Sequence, residues 1–419
     1  RYCAGKPVIA RTLTLEEAIS GKDIPGLEPV DRSTSAGLPL CLAKGASGKK
    51  LWIAEDYSPS DELVRMVVDL EDQFRSGNIR DVPIFKDSLK DERVALAKAD
   101  INVPEKVKTR MFSASPLVFM LLLRKYYGAF FGHLIVNQVK NSCTSGVNPM
   151  SGDWQRMADY LHEVSTKVDD GDYSSFDSTQ PSGFLLPVYK SIRNWYLLNG
   201  GSGEDDVIRE RLAEFCVHAF HSARGVVYRS EGSLPSGMIG TTAINSGVNL
   251  VAFFYAWRRI YPLSSVGDFL DNVRTLTHGD DVIFSVRDTY SEYTSANIGR
   301  ALAEVGMIFT PAAKDGVETH ARPIEEVSFL KRGFKKIHGI YRAPLLTSSS
   351  LEMCNWVTKS PDLISATVDN ITTAMRELAI SEPDTSLQQQ LQAAALKNTG
   401  RLIPIITQEE MCRNFYSSF

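Results

Sequence analysis

The 419-residue chain has no long hydrophobic run, few cysteines and no excess of positive charge. Its most apolar stretch, Leu117 to Leu123, ends at Arg124 and Lys125, far short of a membrane span. Six cysteines (3, 41, 143, 216, 354 and 412) are scattered without a Cys-x-x-Cys pair, which fits reduced thiols rather than a disulfide framework. Cys216, His218 and His221 lie close together but lack a second ligand pair at zinc spacing. No repeat period, long low-complexity tract or signal peptide is visible, and the first residue is Arg1 rather than Met, as expected of a processed product or a fragment. A net charge of −4 argues against a nucleic-acid partner only if the surface is uniform.

The charge is segregated. Lys331, Arg332, Lys335, Lys336 and Arg342 fall within twelve residues that contain no acid. A second basic stretch runs from Lys86 to Arg110, diluted by five acids, whereas Asp169, Asp170, Asp172 and Asp177 crowd together. A protein that holds both a metal and a polyanion needs such segregation. With 43% hydrophobic and 23% charged residues, the composition is that of an ordered globular protein of two or three subdomains.

Hydrophobic periodicity and capping residues predict helices at Leu13 to Ile19, Ser60 to Arg75, Pro116 to Val136, Trp154 to Val164, Pro187 to Leu198, Asp206 to Ala219, Thr241 to Arg259 and Ser295 to Val305. Helix formers also dominate 360–398, while strands are expected around 167–172, 273–286 and 327–342. This is an α+β pattern, a small antiparallel sheet backed by helices.

Two apolar runs flank His278-Gly279-Asp280-Asp281, so Gly-Asp between them signals a tight hairpin with carboxylates at its tip. Such a tip is either a solvated turn or half of a metal site, because adjacent carboxylates repel without a cation. Asp172-Tyr-Ser-Ser-Phe-Asp177 follows a strand; it is either an acidic capped loop or the other half, with hard oxygens suited to Mg²⁺. Ser233 to Ser246 is a glycine-interrupted loop opening a helix, and Thr241 and Asn245 share a face of that helix. Gly306 to Gly316, with Lys314, reads as an exposed loop after a helix. Phe329-Leu330-Lys331-Arg332 suits either a strand or turn touching phosphate, or a basic sheet edge that avoids aggregation.

In their order and spacing these segments resemble the motif series of the RNA-dependent RNA polymerases of positive-strand RNA viruses, within the picornavirus-like supergroup that also holds iflaviruses, dicistroviruses and caliciviruses. Thr34 to Pro39 looks like motif G, and Lys90 to Arg93 with Lys106 to Arg110 like motif F. Asp172 to Asp177 matches motif A, Ser236 to Asn245 motif B and His278 to Asp281 motif C. Lys314 falls where motif D has its lysine, and Phe329 to Arg332 matches motif E.

The resemblance implies a right hand: fingers over 1–126, palm over 127–209, a fingers insertion over 210–232, palm over 233–338 and a helical thumb over 339–419. It implies RNA-templated RNA synthesis from rNTPs onto a primer 3′-hydroxyl with release of pyrophosphate. Two Mg²⁺ ions, replaceable by Mn²⁺, would be held by Asp172 and Asp280 with Asp281 assisting. Asp177, Ser236, Thr241 and Asn245 would select the ribonucleotide, and Lys98, Lys108 and Arg110 would hold its triphosphate. Lys314 would protonate pyrophosphate. Phe329, Leu330, Lys331 and Arg332 would grip the primer, and Thr34 and Ser35 would guide the template. Implied partners are RNA template and primer, rNTPs, a genome-linked protein primer and other viral replication proteins. The implied place of work is the host cytoplasm, in membrane-associated replication complexes that recruit a chain with no membrane segment of its own.

Three departures stand out: His278 occupies a position where the family usually has Tyr, relatives generally carry a longer segment ahead of motif G, and motif F is longer than usual between Lys90 and Arg110. A reverse transcriptase is the competing enzyme, opposed by Asp177, where that class usually has a bulky side chain. An inactive RNA-binding scaffold is the competing non-enzyme, opposed by the complete carboxylate set.

Overall fold

The computed structural model describes residues 1–92, 94, 102–103, 109–311, 321–357 and 360–416. Its centre is an antiparallel sheet in the order Val273–His278, Asp281–Val286, Lys167–Ser174, Ile308–Pro311, with Arg322–Pro323 paired to the start of Lys167–Ser174. Alternation along the strands divides two cores. Val282 and Phe284 face the helix Thr241–Ile260 together with Phe253, whereas Ile283, Leu276 and Val168 face Trp154, Met157 and Leu161 of the helix Asp153–His162. Both faces are covered, yet the central strand carries Asp169, Asp170 and Asp172, so its place in the sheet is not marked by an apolar run.

A close approach fixes one residue of the central strand. A Cβ on Gly171 would lie 2.0 Å from the ring of Phe309 on the neighbouring strand, so only glycine fits. The strand Ile308–Pro311 corrects the expectation of a loop over Gly306 to Gly316. Its four residues are too few to show alternation, and it exists through pairing with Gly171 to Ser174.

A second sheet was not expected. It runs Met111–Ala114, Ile84–Leu89, Phe220–Ala223, Val226–Arg229, with Ile84 to Lys86 parallel to Phe220 to Ser222. Beside it, the helix Leu117–Val136 is buried almost all round against the helices Asp61–Ser76 and Gly203–Val217. Glu71 joins two of these helices, accepting from Lys125 Nζ and Tyr126 Oη at 2.5 Å each. The expected start of a helix at Pro187 is also corrected. The helix is Ser182–Leu198, and Pro187 sits inside it, where its missing N–H leaves the Gly183 carbonyl without the usual helical donor.

The C-terminal helices Leu363–Ser381 and Ser386–Thr399 are joined by a small core of Ile371, Met375, Ala395 and Ile403, while Cys412 of the helix Gln408–Tyr416 packs with Ile380 and Ile337. Among the described residues no helix is long and apolar enough to cross a membrane.

Candidate active site

The register of the central sheet brings the acidic segments together. His278 pairs with Asp281 across Gly279-Asp280, so the hairpin closes in two residues. Gly279 has φ +69°, and an added Cβ would meet nothing closer than 3.9 Å, so its requirement is conformational rather than spatial. Gly171 pairs with Val282, which sets Asp172 and Asp281 at neighbouring strand ends.

The long helix holds the turn. Gly279 N–H donates to Ser246 Oγ at 2.9 Å, and Asn249 Nδ2 donates to the carbonyls of Gly279 and Asp280 at 3.2 and 3.3 Å. Asn249 Oδ1 accepts from Tyr173 Oη at 3.1 Å, so one buried amide ties the central strand to the turn. Neither Ser246 nor Asn249 stood out in the sequence as a site residue. Asn249 follows Asn245 and Thr241 at intervals of four, a polar stripe on a buried helix face, and that spacing was the available signal.

Asp177 lies on the one-turn helix Phe176–Thr179 and accepts from Asn245 Nδ2 at 2.7 Å. Gln180 Nε2 in turn donates to Asn245 Oδ1 at 2.8 Å. Loss of surrounding water and the charge of Asp280 raise the Asp177 carboxyl above its ordinary range, against the pull of Asn245. Thr241 Oγ1 donates to the Met238 carbonyl at 2.7 Å, closing the loop that enters the helix. Ser236 Oγ accepts from Ser113 N–H at 3.3 Å, docking that loop on the second sheet.

An open cleft of about 800 Å³ is lined by Thr34, Ser35, Lys49, Ser236, Thr241 and His278, among others. Lys49 Nζ holds its rim, donating to the carbonyls of Asp31 and Thr34 and to Thr34 Oγ1. Ser35 Oγ accepts from Gly37 N–H at 3.1 Å. Thr144 Oγ1 donates to the Thr277 carbonyl at 3.0 Å, which leaves it an acceptor for His278 Nδ1 at 3.3 Å. Burial lowers the His278 pKa and disfavours the charged ring.

A smaller recess of about 250 Å³ is lined by Asp172, Asp281, Leu330 and Lys331 together with strand residues. Asp281 is pushed up to about 6, first by burial, then by the charges of Asp280 and Asp172, with Lys331 pulling the other way. These hard oxygens feel one another's charge, the condition a divalent cation relieves. Among the described residues no three His, Cys, Asp or Glu side chains converge into a closed cage. Mg²⁺ commonly binds one or two carboxylates and completes its shell with water and substrate phosphate, so the donor set fits it.

The crowd of acids divides by task. Asp170 is held by Arg322 Nη2 at 2.9 and 3.1 Å, and Asp169 accepts from Ser295 N–H at 3.1 Å, so both serve the fold. The basic run from Lys331 divides likewise. Arg332 is bound by both oxygens of Glu377 at 2.7 and 2.8 Å, and Lys335 Nζ donates to the Ser381 carbonyl at 2.9 Å. Lys336 lies 5.4 Å over the ring of Tyr341. Phe329 is buried and pairs with Arg332 across a two-residue turn whose members, Leu330 and Lys331, have φ +54° and +62°. Arg110 makes a bidentate ion pair with Glu92 and lies within electrostatic reach of Asp280. Lys98, Lys108 and Lys314 lie outside the described residues.

A family model described as viral RNA-dependent RNA polymerase matches residues 6–414. The chain belongs to the viral RNA-dependent RNA polymerases. It is 31% identical over 396 residues, 89% of its length, to a replicase polyprotein of Acute bee paralysis virus, and covers 20% of that polyprotein. It is 32% identical over 390 residues to a replicase polyprotein of Cricket paralysis virus, covering 88% of the chain and 22% of the relative. The chain thus spans about a fifth of the length of these curated relatives. In fold it is similar to a Sicinivirus 3Dpol RNA dependent RNA polymerase, with a TM-score of 0.78 and 23% identity over 100% of this chain and 83% of that one. The α+β architecture is therefore that of a right-hand polymerase, with fingers, palm and helical thumb, and the family's reaction is RNA-templated RNA synthesis.

Proposed function

We propose that this polymerase domain extends a primed RNA by transferring nucleotides from rNTPs to the primer 3′-hydroxyl, with Asp172 and Asp280 as metal ligands and Asp281 assisting. The observation that carries the reading is the register of the central sheet, which sets Asp172 beside the Asp280-Asp281 turn and places the Asp177–Asn245 pair nearby. Two Mg²⁺ ions, or Mn²⁺ in their place, would supply neutralisation of the triphosphate and activation of the hydroxyl.

The chain's own residues do the rest. Asp177 and Asn245, with Ser236 and Thr241 shaping the loop, pair with the ribose hydroxyls. A site built to hydrogen-bond a hydroxyl rejects the analogue that lacks it. Arg110, with Lys98 and Lys108, holds the triphosphate; its planar fork exchanges the Glu92 carboxylate for phosphate oxygens of the same geometry. Lys314 protonates the leaving pyrophosphate. Thr34 and Ser35 guide the template along the cleft. Phe329 and Leu330 support the turn that offers Lys331 to the primer end, while Arg332 anchors that turn to Glu377.

The domain division given from the sequence, priming by a genome-linked protein, and work alongside other replication proteins on host cytoplasmic membranes belong to the same proposal. Elongation of a primed RNA template with Mg²⁺ tests its core. The native chain incorporates rNTPs and Asp280→Ala does not; equal incorporation by the two overturns the assignment.

A further inference from the structure

We infer that Gln180 is a positioning residue for sugar selection, acting through Asn245. The inference rests on the reading that Asp177 and Asn245 recognise the ribose. It begins with polarity. An ionised carboxylate only accepts, so Asp177 Oδ1 at 2.7 Å requires the amide nitrogen of Asn245. The Asn245 oxygen then points away and needs a donor. Gln180 Nε2, at 2.8 Å, is that donor. The orientation of both amides is therefore dictated from the Asp177 end, and the chain Gln180–Asn245–Asp177 has a single sense.

The position of Gln180 is fixed independently of its side chain. Its carbonyl accepts from Ser233 N–H at 3.0 Å, and the Asp177 carbonyl accepts from Leu234 N–H at 3.1 Å. Gly232 packs on the Gln180 carbonyl, where an added Cβ would lie 2.5 Å from the oxygen. These backbone ties stitch the loop after Asp177 to the loop that opens the long helix. The Gln180 side chain is 2% exposed, and its Oε1 has no hydrogen-bond partner among the described residues. A buried amide that leaves its own oxygen unmatched while spending its nitrogen on Asn245 costs stability, and a side chain kept only for packing would not need it.

Without Gln180 the Asn245 amide keeps only its bond to Asp177; its oxygen end loses its donor, and the group is held less firmly at the sugar edge of the site. Asn245 meets the nucleotide, Asp177 sets the sense of its amide, and Gln180 braces the far end. The effect falls on the substrate that has the 2′-hydroxyl and not on the one that lacks it.

The test is single-nucleotide primer extension with an rNTP and the matching 2′-deoxy NTP, giving kcat/KM for each. The proteins are the native chain, Gln180→Met, Gln180→Glu and Asn245→Ala, with thermal melting measured for all. Gln180→Met keeps the volume and removes the donor, and it should lower the rNTP-to-dNTP ratio roughly fivefold. Gln180→Glu replaces the donor by an acceptor and should lower the ratio at least as far. Asn245→Ala must also lower it. If Asn245→Ala leaves the ratio unchanged, the ribose reading itself fails and the inference with it. If Asn245→Ala lowers the ratio while both Gln180 variants keep the native value, the Gln180 assignment alone is overturned. Equal losses with the two nucleotides, with or without a lower melting temperature, likewise reduce Gln180 to a structural residue and overturn it.

Discussion

Arg332 and Glu377 form a two-point ion pair, guanidinium to carboxylate at 2.7 and 2.8 Å, between the turn beside the carboxylates and the helix Leu363–Ser381. Arg332 also donates to the Ala343 carbonyl at 2.8 Å, and both side chains are largely removed from solvent. Removing one partner leaves the other charge poorly solvated, which costs about 3 kcal/mol. Arg332→Ala and Glu377→Ala should each lower the melting temperature markedly. The double variant Arg332→Met with Glu377→Leu should recover much of the loss, because replacing both charges by apolar groups avoids stranding one.

Asn249 predicts a different signature. Its contacts are to the backbone of the turn and to Tyr173, not to a ligand surface. Asn249→Ala should lower kcat by one to two orders of magnitude, roughly the effect of a small misplacement of reacting groups, with KM for rNTP little changed. Tyr173→Phe removes one bond and should cost about 1 kcal/mol of stability with a smaller loss of rate. A change confined to KM would contradict the positioning role.

At Gly279 the requirement is φ alone. Gly279→Ala should cost about 1–2 kcal/mol and misdirect Asp280. Gly279→Asn, whose side chain tolerates the left-handed region, should retain more activity than Gly279→Val, in which a branched side chain does not. Parallel elongation assays on the three variants check the ranking.

Glu71 gives a pH prediction. Burial alone would push its carboxyl up, but hydrogen bonds from Lys125 and Tyr126 outweigh burial and hold it below the ordinary value. A folded pKa lower than the unfolded one contributes stability above the unfolded value, ~4.3, and loses it as pH falls through the folded value. Melting temperature measured from neutral pH downward should therefore fall less steeply in acid for Glu71→Gln than for the native chain. An identical acid slope would remove Glu71 from the acid transition.

The candidate site was legible to different depths. Asp172, Asp177, Asn245 and the Gly279-Asp280-Asp281 turn could be picked out because charge, glycine and order along the chain mark them. Gln180, Ser246 and Asn249 did not stand out as site residues, because they act on other side chains and on carbonyls; spacing puts Asn249 on the face of Asn245 but does not say what that face meets. The second sheet was hidden for another reason. Strands such as Phe220–Ala223 are four residues long, and the parallel pairing of Ile84 with Phe220 joins segments far apart in the chain. No local period records such a partner. The run from Lys331 to Arg342 contains bases and no acid, yet Arg332, Lys335 and Lys336 have partners within the protein. Composition gave their sign but not the acids and rings that satisfy them.

The turn at Leu330 and Lys331 carries a last consequence. A two-residue hairpin with both φ positive is one that Asn-Gly makes at little cost, whereas Leu and Lys sit there against backbone preference. A cheaper backbone was available at that point of the chain. The penalty is tolerable only if the aliphatic and ammonium groups projecting beside Asp172 and Asp281 are themselves what the location requires. The local discomfort of two residues thus marks which side chains the fold is built to display.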